Sequence, residues 1–297
     1  MFSPVRSAVG VRRRIAVVGA IGVGVVLTAT LVTGTATAGQ TSSKENPIPL
    51  GQGYMGVGYL QDAKDFKPDT RTVQPAVEGV FGANLTAYPV GVDVSHYQGS
   101  INWKTVQSRH IQFAWIKATE GTSYRDPKFN SNYTNAYKAK VIRGAYHFAR
   151  PDLSGGDAQA KYFAAHGGAW SKDNLTLPGV LDLEGSCYGK SQSAMRSWIS
   201  TFHKTYKDKT GRNVVVYTSK SWWDKCTGKW AGMKNRNSPL WVAHWTKASK
   251  PSIPGGYGTW TVWQYSDSGQ VKGISGKVDV DRFNGTRTQL LKLANNG

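Results

Sequence analysis

The sequence predicts an α/β fold, namely a TIM-like β/α barrel with about five βα units followed by three strands. Eight short apolar runs rich in β-branched and aromatic residues alternate with segments of helical periodicity, which is typical of βαβ units. Eight strands joined in this way close a parallel sheet into a barrel. Residues 246–258 and 267–277 are rich in proline, glycine or serine and hold no full helix, so loops join the last three strands.

The order of the elements follows from the spacing of the apolar residues. Short apolar or alternating runs predict strands, and apolar residues spaced three and four apart predict helices. Strands are predicted over 91–97, 113–120, 141–149, 180–184, 213–219, 240–245, 259–266 and 276–283. Helices are predicted over 101–110, 128–140, 156–166 and 193–210, with a short fifth helix that starts near Ser221.

The N-terminal third of the chain precedes this fold. Residues 1–38 combine arginines, an apolar run over 15–32 and the small residues Ala36-Thr37-Ala38, which is typical of a secretory signal peptide. An uncleaved membrane anchor is the alternative, because the apolar run is long. Residues 39–89 are rich in glycine, proline, threonine and glutamine without a period, which indicates a pro-segment or linker. The folded domain is predicted over 90–297, with all eleven tryptophans and all six histidines.

The exported chain is strongly basic. The predicted signal peptide carries four arginines and no acid, so its removal changes the net charge from +19 to +15. Such a charge favours polyanionic partners. The basic residues are scattered along the sequence, however, and an ordinary solvent-exposed surface is the alternative interpretation. Because no nucleic-acid-binding signature is present, we expect anionic cell-wall polymers rather than nucleic acid as partners. We expect a secreted, extracellular monomer without stable membrane insertion after cleavage.

Two cysteines, Cys187 and Cys226, lie in the exported part of the chain. Export permits a disulfide between them, because secreted proteins fold in an oxidising environment. Two buried free thiols are the alternative.

The stretch GVLDLEG (179–185) places two carboxylates on one strand. Asp182 and Glu184 are two residues apart, so both side chains point to the same side of the predicted strand. Two such groups on a buried strand repel each other and lose solvation. A solvated edge strand is one interpretation. A catalytic pair is the other, because active sites of barrels lie at the C-terminal ends of strands.

Other strand ends carry acids as well. Asp93 lies on the first predicted strand, Glu120 ends the second, and Asp279 and Asp281 lie on the last. Because the first and last strands of a barrel are neighbours, we expect Asp93 and Asp279 to meet. Clustered carboxylates acquire different pKa values, so one donates a proton while another stays ionised, as glycoside hydrolysis requires.

Aromatic and polar residues near the same strand ends suit a sugar substrate. Aromatic rings stack on pyranose faces, although core packing explains any single ring equally well. The predicted substrate-binding residues are Tyr146, Phe148, Tyr217, Trp245, Trp263, Gln264 and Lys117. A metal site is the alternative use of the acids, with histidines at His96, His147 and His244. The sequence lacks paired histidine motifs such as H-x-H and H-E-x-x-H, so we expect no metal and no cofactor.

Several motifs occur in a fixed order along the domain. They are GVDVSHYQGSINW (91–103), FAWIKATEG (113–121), RGAYHFARP (143–151), GVLDLEG (179–185), WVAHW (241–245) and VWQYSDSGQVKGISGKVDVDRFNG (262–285). In these motifs the chain resembles the lysozymes of glycoside hydrolase family 25, the Chalaropsis-type muramidases, over about 90–295. The resemblance implies a flattened barrel and cleavage of the β-1,4 bond between N-acetylmuramic acid and N-acetylglucosamine in peptidoglycan.

The resemblance also implies roles for the acids. Glu184 corresponds to the general acid, and Asp182 to a nucleophile or to a group that stabilises an oxazolinium formed from the substrate's acetamide. Asp93 and Asp279 correspond to two supporting aspartates. Asp281 stands where many relatives have asparagine, and of Asp279 and Asp281 we expect Asp279 to face the pocket.

Three other functions are weighed against this one. A chitinase-like barrel would carry further acids before Asp182, where the sequence has Val180 and Pro178. A non-catalytic glycan-binding protein on the same barrel would be indicated by loss of Asp182 or Glu184, and both are present. An exported nuclease is suggested by charge alone.

Overall fold

The computed structural model describes residues 48–58 and 88–295. The predicted signal peptide and most of the predicted pro-segment lie outside these residues. The strands of the described part form one sheet. They are β1 (Val90–Val94), β2 (Ile111–Glu120), β3 (Tyr124–Arg125), β4 (Ile142–Phe148), β5 (Val180–Leu183), β6 (Val215–Ser219), β7 (Leu240–Ala243), β8 (Val262–Gly269) and β9 (Val278–Phe283).

Eight of these strands close into a barrel, as predicted. The order around the barrel is β1-β9-β8-β7-β6-β5-β4-β2, and pairing of β1 with β2 closes it. The short β3 pairs with β2 alone. Five βα units precede β7, β8 and β9, which also matches the prediction.

The expectation of a wholly parallel sheet is wrong for the last strand. β9 runs antiparallel to both β8 and β1, whereas the other neighbouring strands of the barrel are parallel. Residues 270–277 connect β8 to β9. A parallel crossover takes about a dozen residues or more, so this short connection forms a hairpin-like return instead.

The helices of the barrel are α1 (Trp103–Ser108), α2 (Phe129–Lys138), α3 (Gly156–Phe163), α4 (Gln192–Thr210), α5 (Lys220–Thr227) and α6 (Arg287–Asn295). The first five match predicted helices, whereas α6 was not predicted. Local chemistry sets the ends of α4, because the Ser191 side chain accepts a hydrogen bond from the Ala194 N–H and Gly211 adopts the left-handed conformation. Within residues 48–58 and 88–295, no helix combines the length and apolar character needed to cross a membrane.

The core has one layer inside the barrel and a second layer between the barrel and the helices, and both contain aromatic and aliphatic side chains. On β2, Phe113 and Trp115 belong to the inner cluster, whereas Ala114 and Ile116 belong to the outer one. The inner rings pack closely, with the Trp115 and Trp241 centroids 4.6 Å apart. Because strand residues alternate between these layers, the inward set at the C-terminal strand ends forms the floor of a site.

A disulfide joins the loop after β5 to helix α5. Cys187 and Cys226 are bonded, with their Cα atoms 5.3 Å apart. Cys187 lies three residues after Glu184. The bridge therefore anchors the loop that follows the acidic strand.

Candidate active site

Two carboxyl groups occupy the inner face at the end of β5. Leu181 and Leu183 pack outward under the helices, so Asp182 and Glu184 point into the barrel. β5 is hydrogen-bonded to β4 and β6 on its two sides, and Asp182 and Glu184 are 0% and 3% exposed. A solvated edge strand is therefore excluded.

The environment of this pair favours the protonated state. Burial raises the pKa of Glu184 to about 8, although the backbone N–H of Gly58 opposes this shift by hydrogen bonding. Burial and the negative charge of Glu184 raise the pKa of Asp182 well above its ordinary value. Asp182 and Glu184 share a hydrogen bond, and outside this pair neither carboxyl oxygen of Asp182 has a hydrogen-bond partner among the described residues. Two adjacent acids that are both buried from solvent do not both ionise at neutral pH, so the pair retains a proton.

Asp93 and Asp279 lie directly opposite each other on β1 and β9, where the sequence analysis expected them to meet. Burial raises the pKa of Asp93 to about 7, against a hydrogen bond from Gln264 that lowers it. Burial and the charge of Asp93 raise the pKa of Asp279 well above its ordinary value. Four carboxyl groups from three strands thus share one low-dielectric site.

Asp279 and Asp281 point to the same side of β9 but lie at different depths. Asp279 is half-buried and borders a pocket of about 410 Å³. Asp281 is fully buried and accepts a hydrogen bond of 3.0 Å from Trp241 Nε1. The structure therefore places Asp279, and not Asp281, at the pocket.

Gln264 links the acids to two aromatic residues of the site. Its Nε2 donates to Asp93 Oδ2 at 2.8 Å. Its Oε1 accepts from Tyr217 Oη at 2.8 Å and from Trp245 Nε1 at 3.1 Å. These bonds fix the orientation of the Gln264 amide and hold both rings beside the acid cluster.

Residues 92–274, well over half of the chain, match the model of the family described as Glycosyl hydrolases family 25. The chain belongs to that family. Lysozyme M1 of Streptomyces globisporus is 55% identical over 252 residues, which are 83% of this chain and 82% of that protein. The N,O-diacetylmuramidase of Chalaropsis sp is 45% identical over 201 residues, which are 64% of this chain and 95% of that protein.

Solved structures agree with the family assignment. The bacterial lysozyme of Streptomyces coelicolor has a TM-score of 0.69 and 58% sequence identity, covering 71% of this chain and 99% of that chain. The flattened barrel expected from the resemblance is the fold of this family 25 chain, which is accordingly a glycoside hydrolase.

One predicted substrate-binding residue of this family 25 barrel lies on the other side of its strand. Trp263 precedes Gln264 on β8, and Gln264 points into the barrel. The Trp263 ring packs outside the barrel with Val242 and Val280, and its Nε1 donates to the carbonyl of His244 at 2.7 Å. The prediction of substrate contact is wrong for Trp263, because adjacent strand residues face opposite sides.

The remaining predicted residues line the inner wall. Tyr146 is fully buried in the inner aromatic cluster, and Phe148 lies one step closer to the strand end. Lys117 Nζ forms a 2.6 Å ion pair with Glu120 Oε2, and Arg150 Nη1 contacts Glu120 Oε1 at 3.2 Å. Glu120 thus has two cationic partners, which favour a structural role over an acid–base role.

The histidines considered for a metal site have other partners. His96 Nδ1 pairs with Asp126 Oδ2 at 2.8 Å, and His244 Nδ1 accepts a backbone N–H. His147 pairs with Gln159, and burial lowers its pKa to about 4. In the described part of the chain, no three histidine, cysteine, aspartate or glutamate side chains converge as metal ligands would.

Several pocket residues were missed by the sequence analysis. The pocket beside Asp279 is also lined by Tyr54, Tyr97, Gln98, Asp267 and Lys277. A short helical turn, His96–Gln98, follows the C-terminal end of β1, and Ser95 caps it. That position at a strand end was a usable signal for Tyr97 and Gln98. Tyr54 comes from the region predicted to be a pro-segment or linker.

Proposed function

We propose that the protein is a secreted lysozyme that hydrolyses the β-1,4 bond between N-acetylmuramic acid and N-acetylglucosamine in bacterial peptidoglycan. The observation that carries the proposal is the buried Asp182–Glu184 pair, which retains a proton beside Asp93 and Asp279. Its relatives include a lysozyme and an N,O-diacetylmuramidase, which supports this choice among glycoside hydrolases.

Glu184 acts as the general acid. The glycosidic oxygen must gain a proton as its bond to the anomeric carbon breaks, and a carboxyl group with a raised pKa supplies that proton near neutral pH. Burial is the main cause of the raised pKa of Glu184, and the charge of Asp93 adds to it. The resulting carboxylate then takes a proton from the incoming water.

Asp182 stabilises the positive charge that develops at the anomeric carbon. It does so by direct attack or by orienting the substrate's acetamide, which forms an oxazolinium. Asp182 shares the inner wall with Glu184, and apart from Glu184 its two oxygens have no hydrogen-bond partner among the described residues. Asp93, held by Gln264, and Asp279 complete the cluster of carboxyl groups around the reaction centre.

The aromatic residues of the site bind the glycan. Tyr97 is 54% exposed at the rim of the pocket, and Trp245 lines the same pocket. Rings at a rim are suited to stack on sugar faces. Tyr146, Phe148 and Tyr217 form the buried wall behind the acids, with Lys117 and Gln264 as polar contacts.

The support for secretion and for contact with the cell wall comes from the sequence and not from the structure of the barrel. The signal peptide predicted over 1–38 directs export, and the net charge of +15 that remains attracts anionic wall polymers. We propose that the enzyme acts as an extracellular monomer on peptidoglycan, without cofactor or metal.

Substitution Glu184→Gln tests the assignment of the general acid. The amide keeps the shape of the side chain but has no proton to donate, so hydrolysis should fall by about 10²–10⁴-fold. Clearing of a peptidoglycan suspension measures the rate, and sedimentation with walls measures binding, which should persist. Asp281→Asn is the matched control, since it removes a buried acid outside the pocket and should leave the rate near wild type. Hydrolysis by Glu184→Gln at the wild-type rate would refute the role of Glu184.

A further inference from the structure

Residues 48–58 enter the mouth of the barrel and contact the acid cluster. The backbone N–H of Gly56 donates to Glu184 Oε1 at 3.0 Å, and that of Gly58 donates to Glu184 Oε2 at 2.6 Å. Both oxygens of the general acid are therefore engaged by a segment 126 to 128 residues away in the sequence.

The same segment is anchored at two further points. Met55 is fully buried and belongs to the inner aromatic cluster that contains Tyr146 and Tyr217. The carbonyl of Gly53 accepts a hydrogen bond from Lys117 Nζ, and its N–H donates to Glu120 Oε2 at 3.3 Å. Of these contacted residues, Lys117, Tyr146 and Tyr217 are ones to which the proposed function assigns contact with the glycan.

The glycines of the segment explain how the backbone comes so close. A Cβ atom at residue 53 would lie 2.5 Å from Phe148 Cδ1, and one at residue 56 would lie 2.7 Å from Trp245 Cζ2. At residue 58 it would lie 2.2 Å from the backbone nitrogen of Gly185 and 2.9 Å from Glu184 Oε2. Only glycine leaves room for the main chain at these three positions.

The contacts also affect the proton of the general acid. Hydrogen bonds from Gly56 and Gly58 lower the pKa of Glu184, in opposition to burial. Two N–H donors stabilise a carboxylate, which is the form that cannot protonate a leaving group. The segment thus fills the groove and occupies both oxygens of the acid that must reach the glycosidic oxygen.

We propose that residues 48–58 are an inhibitory segment that occupies the substrate groove of the same chain and must leave before glycan binds. This inference rests on the proposed function, since it assigns to the segment the glycan's place in the lysozyme site. Cleavage of the chain between residues 58 and 88 would convert a tethered inhibitor into a free peptide that dissociates on dilution. The inactive form is then a precursor, and the cleaved form is the working enzyme.

The test compares one protein before and after cleavage. The chain from residue 39 is prepared with a recognition site for a specific protease inserted between residues 58 and 88. Peptidoglycan hydrolysis is measured on both forms at equal concentration. We expect cleavage to raise activity about tenfold or more, because a tethered segment competes at an effective concentration in the millimolar range.

A pair of glycine substitutions in the uncleaved chain separates groove occupancy from other effects of cleavage. Gly58→Ala places a methyl group against Gly185 and Glu184, so activity should rise toward that of the cleaved form. Gly258→Ala is the matched control, because a Cβ atom at this exposed residue meets nothing within 4 Å and activity should not change.

The possible outcomes distinguish the inference from the proposed function. A low activity that rises on cleavage and with Gly58→Ala supports both. Equal activity of the cleaved and uncleaved forms overturns the inhibitory role and leaves the lysozyme assignment intact. A cleaved form that hydrolyses no peptidoglycan overturns the lysozyme assignment, and the inhibitory role falls with it.

Discussion

Loss of the Cys187–Cys226 disulfide should lower the free energy of unfolding by about 4 kcal/mol. The two cysteines are 39 residues apart in the sequence. In the chain-entropy model, a cross-link that closes a loop of about 40 residues removes about 4 kcal/mol of entropy from the unfolded state. For a domain of about 200 residues each kcal/mol shifts the melting temperature by about 2–4 °C, so we expect a fall of about 8–16 °C.

The perturbation is the double substitution Cys187→Ala and Cys226→Ala. Cys226 lies on the buried face of helix α5, so alanine also removes packing contacts there. Wild-type protein under a reducing agent is therefore the control, since it loses the cross-link and keeps both side chains. Agreement between the two melting temperatures would assign the loss to the cross-link itself.

Calorimetry and circular dichroism measure the melting temperatures of both samples. Activity well below the melting temperature should persist in the variant, because Tyr188 Oη still donates to the carbonyl of Glu184 at 3.0 Å and helps hold the loop. A fall of less than about 3 °C in both samples would refute the argument, since it would mean that the bridge restricts the unfolded chain far less than its length implies.

Three further predictions concern the acid cluster. Activity should decline as the pH rises through the raised pKa of Glu184, because the proton donor is then lost; a decline centred near pH 4 in the pH–rate profile would contradict this. The pKa of Asp93 is raised from 3.8 to about 7, so its contribution to stability is complete below pH 4 and is lost as the pH rises toward 7. Thermal melts should show a flatter pH dependence for Asp93→Asn, and an unchanged slope would argue against the shift. Asp279→Asn should lower the rate of hydrolysis at least about tenfold, whereas Asp281→Asn should not, and equal rates would remove Asp279 from the site.

Most of the site residues that could be predicted from the sequence follow from the alternation of side chains along strands. This alternation placed Asp182 and Glu184 on one side of β5, and the structure shows that side facing the barrel interior. The same rule also predicts that Trp263 points out of the barrel if its neighbour Gln264 points in. The wrong prediction that both residues contact substrate could therefore have been avoided. The direction of β9 was harder to predict, because apolar alternation is the same in parallel and antiparallel strands.

The packing of residues 48–58 in the mouth of the barrel could not be predicted from the local sequence. A glycine-rich linker and a glycine-rich segment whose backbone packs tightly against other groups have similar sequences. The difference lies in partners more than 60 residues away, such as Glu120 and Glu184. Only the closed barrel brings those carboxylates together at one mouth.

The most direct test of the central claim is the chemistry of the ends that the enzyme makes. Purified peptidoglycan is digested with the cleaved chain, the new reducing ends are labelled by reduction, and the products are identified by mass spectrometry. The account predicts N-acetylmuramic acid at the new reducing ends, with none formed by Glu184→Gln. Reducing ends of N-acetylglucosamine would contradict the assigned bond, and an absence of new ends would contradict the assigned reaction.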